Sequence, residues 1–127
     1  MSIWELHIDP ERNILMVTPR TDLRGFDYEL MEAEAEEVLR RLDSHAIKNV
    51  VLDFVRTDSF TSDVLAMYLK LWKQIGQRNG RVVFCNLSAN QMEVLRITKL
   101  DQLLLISPCR ETALRSLEDE VVNEVVS

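Results

Sequence analysis

Four hydroxyls and two carboxylates crowd into Thr57-Asp58-Ser59-Phe60-Thr61-Ser62-Asp63, immediately before an apolar helical pattern. Hydroxyls in this setting have two uses. One of them can accept a phosphoryl group, and one can bond the free amides of a helix's first turn. Thr61 or Ser62 stands where the N-cap belongs, and Asp63 complements the positive end of the helix dipole. A good cap explains these residues on its own, so the segment alone does not decide between a cap and a modification site.

Other chemistries are missing parts. The three glycines, Gly25, Gly76 and Gly80, can build neither GxGxxG nor GxxxxGK[ST], so no phosphate-cradling loop of those kinds is expected. His7 falls in a strand pattern and His45 follows a helix end, with no His or Cys at ligand spacing, so no metal is expected. A strained GxSxG turn is absent, and with it the usual nucleophile elbow. Cys85, in an apolar run, reads as core, and Cys109, near a helix start, as a thiol at most mildly activated. Tyr68 and Trp72, four apart, read as core aromatics. The expectation is a binding protein without cofactor, not an enzyme.

The elements that would position the hydroxyl-rich segment follow from hydrophobic period. Ile3, Trp4, Leu6 and Ile8, then Ile14 to Val17, are two short strands around the turn residues Asp9 to Asn13, a hairpin. From Phe26 to Leu42 the period becomes helical, with Tyr28, Met31, Ala35, Val38 and Leu42 on one side. Glu29, Glu32, Glu36 and Glu37 form its solvated side, with Glu36–Arg40 and Glu37–Arg41 at favourable spacing. Asn49 to Phe54 reads as a strand buried on both faces. Val55 to Thr61 is a loop, and Val64, Leu65, Tyr68, Leu71, Trp72 and Ile75 make the strongest helical stripe in the chain. Asn79-Gly80 ends that helix, and Arg81 to Cys85 is another buried strand. Ser88 and Gln91 form a capping box for a short helix through Met92 and Leu95. Leu103 to Ile106 reads as a last strand. Ser107 and Pro108 supply an N-cap and first turn for a final helix striped by Leu114, Leu117 and Val121.

Strands alternating with helices predict an α/β fold: a mixed sheet of about five strands, the N-terminal hairpin plus parallel strands, with about four helices. A chain of 127 residues has room for one such domain, spanning 1–127. Its 15 Lys and Arg against 21 Asp and Glu give a net charge of −6, which disfavours nucleic acid and anionic membranes. The longest apolar run, Val64 to Leu69, is far short of the ~20 residues of a spanning helix. Met1 to Pro10 lacks a signal-peptide core, so a soluble, cytoplasmic protein without membrane insertion is expected.

Three segments carry a resemblance. Val50-Val51-Leu52-Asp53-Phe54, the loop to Phe60, and Thr61-Ser62-Asp63-Val64-Leu65-Ala66 resemble, without a gap, the central segment of the STAS domain family of anti-sigma factor antagonists. There a Val-Val-Leu-Asp-Leu strand and a short loop precede Asp-Ser-Ser/Thr-Gly-Leu-Gly at a helix start. Asn79 to Leu87 and Val94 to Leu103 are similar to the family's later half, so the resemblance covers nearly the whole chain.

The resemblance implies a bacterial signalling switch that regulates transcription. In this family the unphosphorylated antagonist binds an anti-sigma factor that is itself a serine kinase, and phosphorylation at the helix start breaks the complex. By position the acceptor is Ser62, with Thr61 as deputy. The implied contact surface is Asp58, Ser59, Phe60, Thr61, Ser62, Asp63 and Ala66. Thr61 stands for the family's Asp, Asp63 for its Ser or Thr, and Val64 and Ala66 for its glycines. The fold tolerates these changes, since Val and Ala suit a helix at least as well as Gly. Kinase recognition is more exposed to them, because a phosphate on Ser62 would sit beside the Asp63 carboxylate. The alternative is a STAS-like accessory subunit bound constitutively to the cytosolic side of a membrane transporter, without a phosphoswitch.

Overall fold

The computed structural model describes residues 2–23 and 27–126, with side chains through residue 118. Strand β1 (Trp4–Asp9) pairs antiparallel with β2 (Ile14–Pro19), from Trp4 opposite Pro19 to Asp9 opposite Ile14. The turn closes on Asp9: its Oδ1 accepts from the Glu11 and Arg12 amides, and its carbonyl from the Asn13 amide at 2.8 Å. The chain continues through α1 (Tyr28–Ser44), β3 (Asn49–Asp53), α2 (Ser62–Gln77), β4 (Val82–Cys85), α3 (Ala89–Ile97), a 3-10 turn (Leu100–Gln102), β5 (Leu105–Ser107) and α4 (Arg110–Val126). The sheet order is β1-β2-β3-β4-β5, with every pair after the first parallel.

The near-continuous apolar runs of the inner strands are explained by burial on both faces. Leu15, Val17, Val50, Leu52, Val82 and Phe84 face a core shared with Val38, Leu42, Leu71 and Ile75 of α1 and α2. The alternate residues Ile14, Met16, Val51, Val83 and Cys85 face Ala113, Leu114 and Leu117 of α4. One glycine has a steric reason at a turn: a Cβ on Gly80 would lie 2.1 Å from the Lys48 carbonyl oxygen. The preceding Asn79 takes the left-handed φ of 63°, so the α2–β4 connection needs both residues.

Four expectations shift. The buried line of α2 is Val64, Met67, Tyr68, Leu71 and Ile75, while Leu65 and Trp72 are only half-buried on its flank. Trp72 is therefore not a core aromatic, because the α2 axis turns it toward an open margin of the sheet. The last strand is Leu105–Ser107 rather than Leu103 to Ile106, because the 3-10 turn draws Leu103 out to 66% exposure. Ser107 belongs to that strand, so α4 starts at Arg110 with Cys109 just before it, and the Ala113 amide donates to the Cys109 carbonyl at 3.1 Å. Of the acidic pairs on α1, Glu37 bonds both Arg40 (2.8 Å) and Arg41 (3.4 Å), in place of the expected Glu36–Arg40 pair. The expected helix start at Phe26 and the Val121 end of the α4 stripe lie outside the described residues and side chains.

Candidate functional site

The hydroxyl-rich segment connects the C-terminal end of β3 to the first turn of α2, and an aromatic anchor holds its middle. Phe54 is fully buried, and its ring stacks on Phe84 with centroids 5.6 Å apart. Phe60 meets Phe54 edge to face at 5.4 Å, and Tyr68 does the same at 5.0 Å. Tyr68 in turn accepts a hydrogen bond from Trp4 Nε1 at 3.2 Å, and burial pushes its phenol pKa upward. Phe60 is thus a half-buried anchor.

Two clamps hold the backbone that leads into that anchor. From the β2–α1 connection, Asp22 Oδ1 accepts from the Asp58 amide at 2.7 Å and the Ser59 amide at 3.4 Å, and Asp22 Oδ2 accepts from the Ser59 hydroxyl at 3.3 Å. From α3, the Ser88 hydroxyl donates to the Asp58 carbonyl, and Asn90 Nδ2 donates to Asp58 Oδ2 at 3.0 Å. Gln91, fully buried, donates from Nε2 to Thr57 Oγ1 at 2.7 Å, while the Thr57 hydroxyl donates to the Phe54 carbonyl at 2.8 Å. Ser88 and Gln91 also form the expected capping box. One hydroxyl therefore caps α3 and braces the loop.

The cap of α2 is Thr61. Its backbone is extended (φ −83°, ψ 163°), and its hydroxyl accepts from the Val64 amide at 3.3 Å. Ser62, the other candidate, is the first helical residue, and among the described residues none bonds its hydroxyl. Thr61, Ser62, Asp63 and Ala66 are exposed, as is Asp58, whereas Ser59 and Phe60 are half-buried. The arrangement is a rigid, polar ridge that ends in an unbonded hydroxyl at a helix N-terminus.

Beneath the ridge lies a charged group the sequence reading missed. Asp53, 2% exposed, accepts from Arg110 Nε at 2.9 Å through Oδ2, and through Oδ1 from Asn86 Nδ2 (2.9 Å) and the Val55 amide (3.1 Å). Arg110 also donates to Thr18 Oγ1 at 3.2 Å, which ties α4, β2 and β3 together at the C-terminal ends of the parallel strands. Burial, with the Asp53 charge adding to it, pushes the Cys85 thiol up to about 12. At the exposed Cys109 the Thr112 hydroxyl, followed by the Thr112 amide, holds the thiol below its usual range. An Asp in a strand and an Arg at a helix start give no local sign of pairing across 57 positions. Asp22 was equally invisible, since only the folded loop brings it to Asp58.

A family model for the STAS domain matches residues 12–113, from the hairpin turn to the first turns of α4. The chain belongs to the STAS domain family. Among solved structures, this STAS domain is similar to an anti-sigma factor antagonist candidate of Thermotoga maritima, at 16% identity and a TM-score of 0.76 over 91% of this chain and 94% of that one. It is also similar to the RsbS protein of Moorella thermoacetica bearing a serine-to-glutamate substitution, at 13% identity and a TM-score of 0.73 over 94% and 98% of the two chains. The antagonist SpoIIAA in its unphosphorylated form matches over 98% of both chains, at 15% identity and a TM-score of 0.61. At these identities the likeness is one of fold. Among the described residues no helix is long and apolar enough to cross a membrane, and no group of three or more His, Cys, Asp or Glu is placed to hold a metal ion.

Proposed function

We propose that this chain is a single STAS domain acting in the cytoplasm as an anti-sigma factor antagonist, and that it binds an anti-sigma factor serine kinase through the ridge from Asp58 to Ala66. Phosphorylation at Ser62, with Thr61 as deputy, is the switch. The reading requires no cofactor, no catalysis by this chain and no nucleic acid.

The observation that carries it is the division of labour at the start of α2. Because Thr61 makes the cap, Ser62 presents its hydroxyl outward, and modifying it breaks no bond within the fold. The loop before it is already ordered by Asp22, Ser88, Asn90 and the Phe60 anchor, so docking costs little further ordering. A phosphate on Ser62 adds about −1.5 to −2 charge between exposed Asp58 and Asp63. With that charge turned toward the partner, a surface that must lose water on docking becomes costly to desolvate.

The test begins with isolation of the partner by co-purification and intact-mass measurement of the protein from its own cells. Ser62→Ala is expected to bind the partner as wild type does, and Ser62→Glu at least tenfold more weakly, about 1.4 kcal/mol. Wild-type affinity for Ser62→Glu would remove the switch. The constitutive subunit of a membrane transporter would then become the better reading, favoured by the Asp63 carboxylate beside Ser62, and a co-purified transporter would support it.

A further inference from the structure

The residue pair that ends α2 carries a chemistry of its own. Asn79-Gly80 is the one place in the chain where glycine follows asparagine. Asn79 is exposed, and among the described residues nothing bonds its side-chain amide. In such a pair the glycine nitrogen, unshielded by a side chain, attacks the asparagine Cγ. The new N–Cγ bond closes a five-membered succinimide, the Cγ–Nδ2 bond breaks, and ammonia leaves with the proton shed by the glycine amide. Water then opens the ring at one of its two carbonyls, giving either aspartate or isoaspartate. In isoaspartate the main chain runs through the side-chain carbon.

The folded turn opposes each part of that step. Ring closure needs the Gly80 nitrogen to eclipse Cβ of Asn79. Asn79 has a left-handed φ of 63°, a conformation that brings a ψ of about +45° and turns that nitrogen almost directly away from Cβ. The Gly80 amide hydrogen, which must be lost, is donated to the Ile75 carbonyl at 3.0 Å. The glycine has no room to swing, since a Cβ built on it would lie 2.1 Å from the Lys48 carbonyl oxygen and 2.7 Å from Ile75 Cγ2. Arg81 is pinned too: its amide donates to Asn49 Oδ1 at 3.0 Å, and its carbonyl accepts from the Val50 amide at 2.9 Å. The weak member is the helix. Gly76 disfavours the helical backbone near the end of α2, and no basic side chain supports the last turn. Opening that turn releases the Ile75 carbonyl, and Gly80 with it.

We propose that Asn79 is a modification site that its own turn keeps dormant: the amide is converted to aspartate or isoaspartate only while the end of α2 is open. The two products differ in fate. Aspartate keeps the left-handed conformation accessible and adds one negative charge. Isoaspartate adds a carbon to the main chain, so Gly80 no longer reaches its tight place beside the Lys48 carbonyl, and the α2–β4 connection cannot close as before. The loss of ammonia makes the conversion one-way, so the modified fraction records how often this turn has opened.

The test incubates the full chain at pH 8, folded in buffer and unfolded in urea at the same temperature. Peptide mapping, with fragmentation that tells aspartate from isoaspartate, follows residue 79. Conversion is expected to be at least tenfold slower in the folded chain. Gly76→Ala, whose added Cβ meets nothing within 4 Å, should slow the folded-state conversion at least twofold and leave the unfolded rate unchanged. Chains carrying isoaspartate, separated by chromatography, should melt below both wild type and Asn79→Asp. Equal rates in the folded and unfolded chain would overturn the proposal. So would a folded-state rate that Gly76→Ala does not change, or isoaspartate chains that melt as wild type does. None of these results depends on Ser62 or its kinase.

Discussion

The two ends of α2 use one helix in opposite ways. At its start, polar groups from the β2–α1 connection and from the start of α3 lock a loop over a buried aromatic, and the exposed residues Thr61, Ser62, Asp63 and Ala66 are small. At its finish, Trp72 and Leu105 are left partly uncovered beside the last strand, and Gly76 leaves a gap that nothing among the described residues fills. The difference teaches that a polar surface can be the rigid one. Order at the ridge comes from satisfied hydrogen bonds between distant connections, whereas at the far end the apolar groups are only partly covered by the described residues.

The largest expected effect breaks the anchor. Phe54→Ala removes a fully buried ring that Phe60, Tyr68 and Phe84 all touch, and should cost ~3–5 kcal/mol in denaturant unfolding. Trp72→Ala, at the open end, should cost no more than ~1–2 kcal/mol, since half-burial forfeits less transfer energy and leaves no closed cavity. Equal losses would erase the contrast between the two ends.

A smaller change cuts one clamp. Asp22→Ala should cost ~1–3 kcal/mol by orphaning the Asp58 and Ser59 amides. It should also speed hydrogen exchange at those two amides while leaving the β4 amides protected. If exchange at Asp58 is unchanged, the ridge is held from the α3 side alone.

Smaller again is the cap. Thr61→Ala should lose ~1 kcal/mol and Ser62→Ala less than ~0.5, because only the Thr61 hydroxyl accepts from the Val64 amide. The reverse order in thermal melts would put the cap on Ser62 and withdraw its hydroxyl from modification.

The least effect at neutral pH belongs to the thiols. Iodoacetamide at pH 8 should modify exposed Cys109 in the native protein and spare buried Cys85. Cys85 is raised from 9.0 to about 12 in the fold, so the unfolded chain loses this proton first. Its contribution to stability is therefore whole below pH 9 and is lost as pH rises toward 12. Cys85→Ala should flatten that alkaline decline. An unchanged slope would assign it to Tyr68, whose shift has the same sign.

Much of this was legible in the chain because secondary structure is written in local period. The short apolar run Ile14 to Val17 and the continuous runs at Asn49 and Val82 marked strands, and steps of three and four at Met31 to Leu42 and Val64 to Ile75 marked helices. The resemblance of Val50 to Ala66 to the STAS pattern located the helix start that carries Ser62, and Ser88 with Gln91 announced its own capping box. By itself, then, the sequence determined the order of elements, the α/β class and the stretch on which the candidate site lies. The tertiary structure decided which hydroxyl caps α2, because that depends on the extended backbone of Thr61. It also decided that Trp72 stays half-open, that Asp22 grips Asp58 across 36 positions, and that Asp53 is neutralised by Arg110 across 57. Periodicity reports how a residue faces within its own element. Caps, clamps and buried ion pairs are set by how elements meet, and residues far apart in the chain leave no shared local pattern to read.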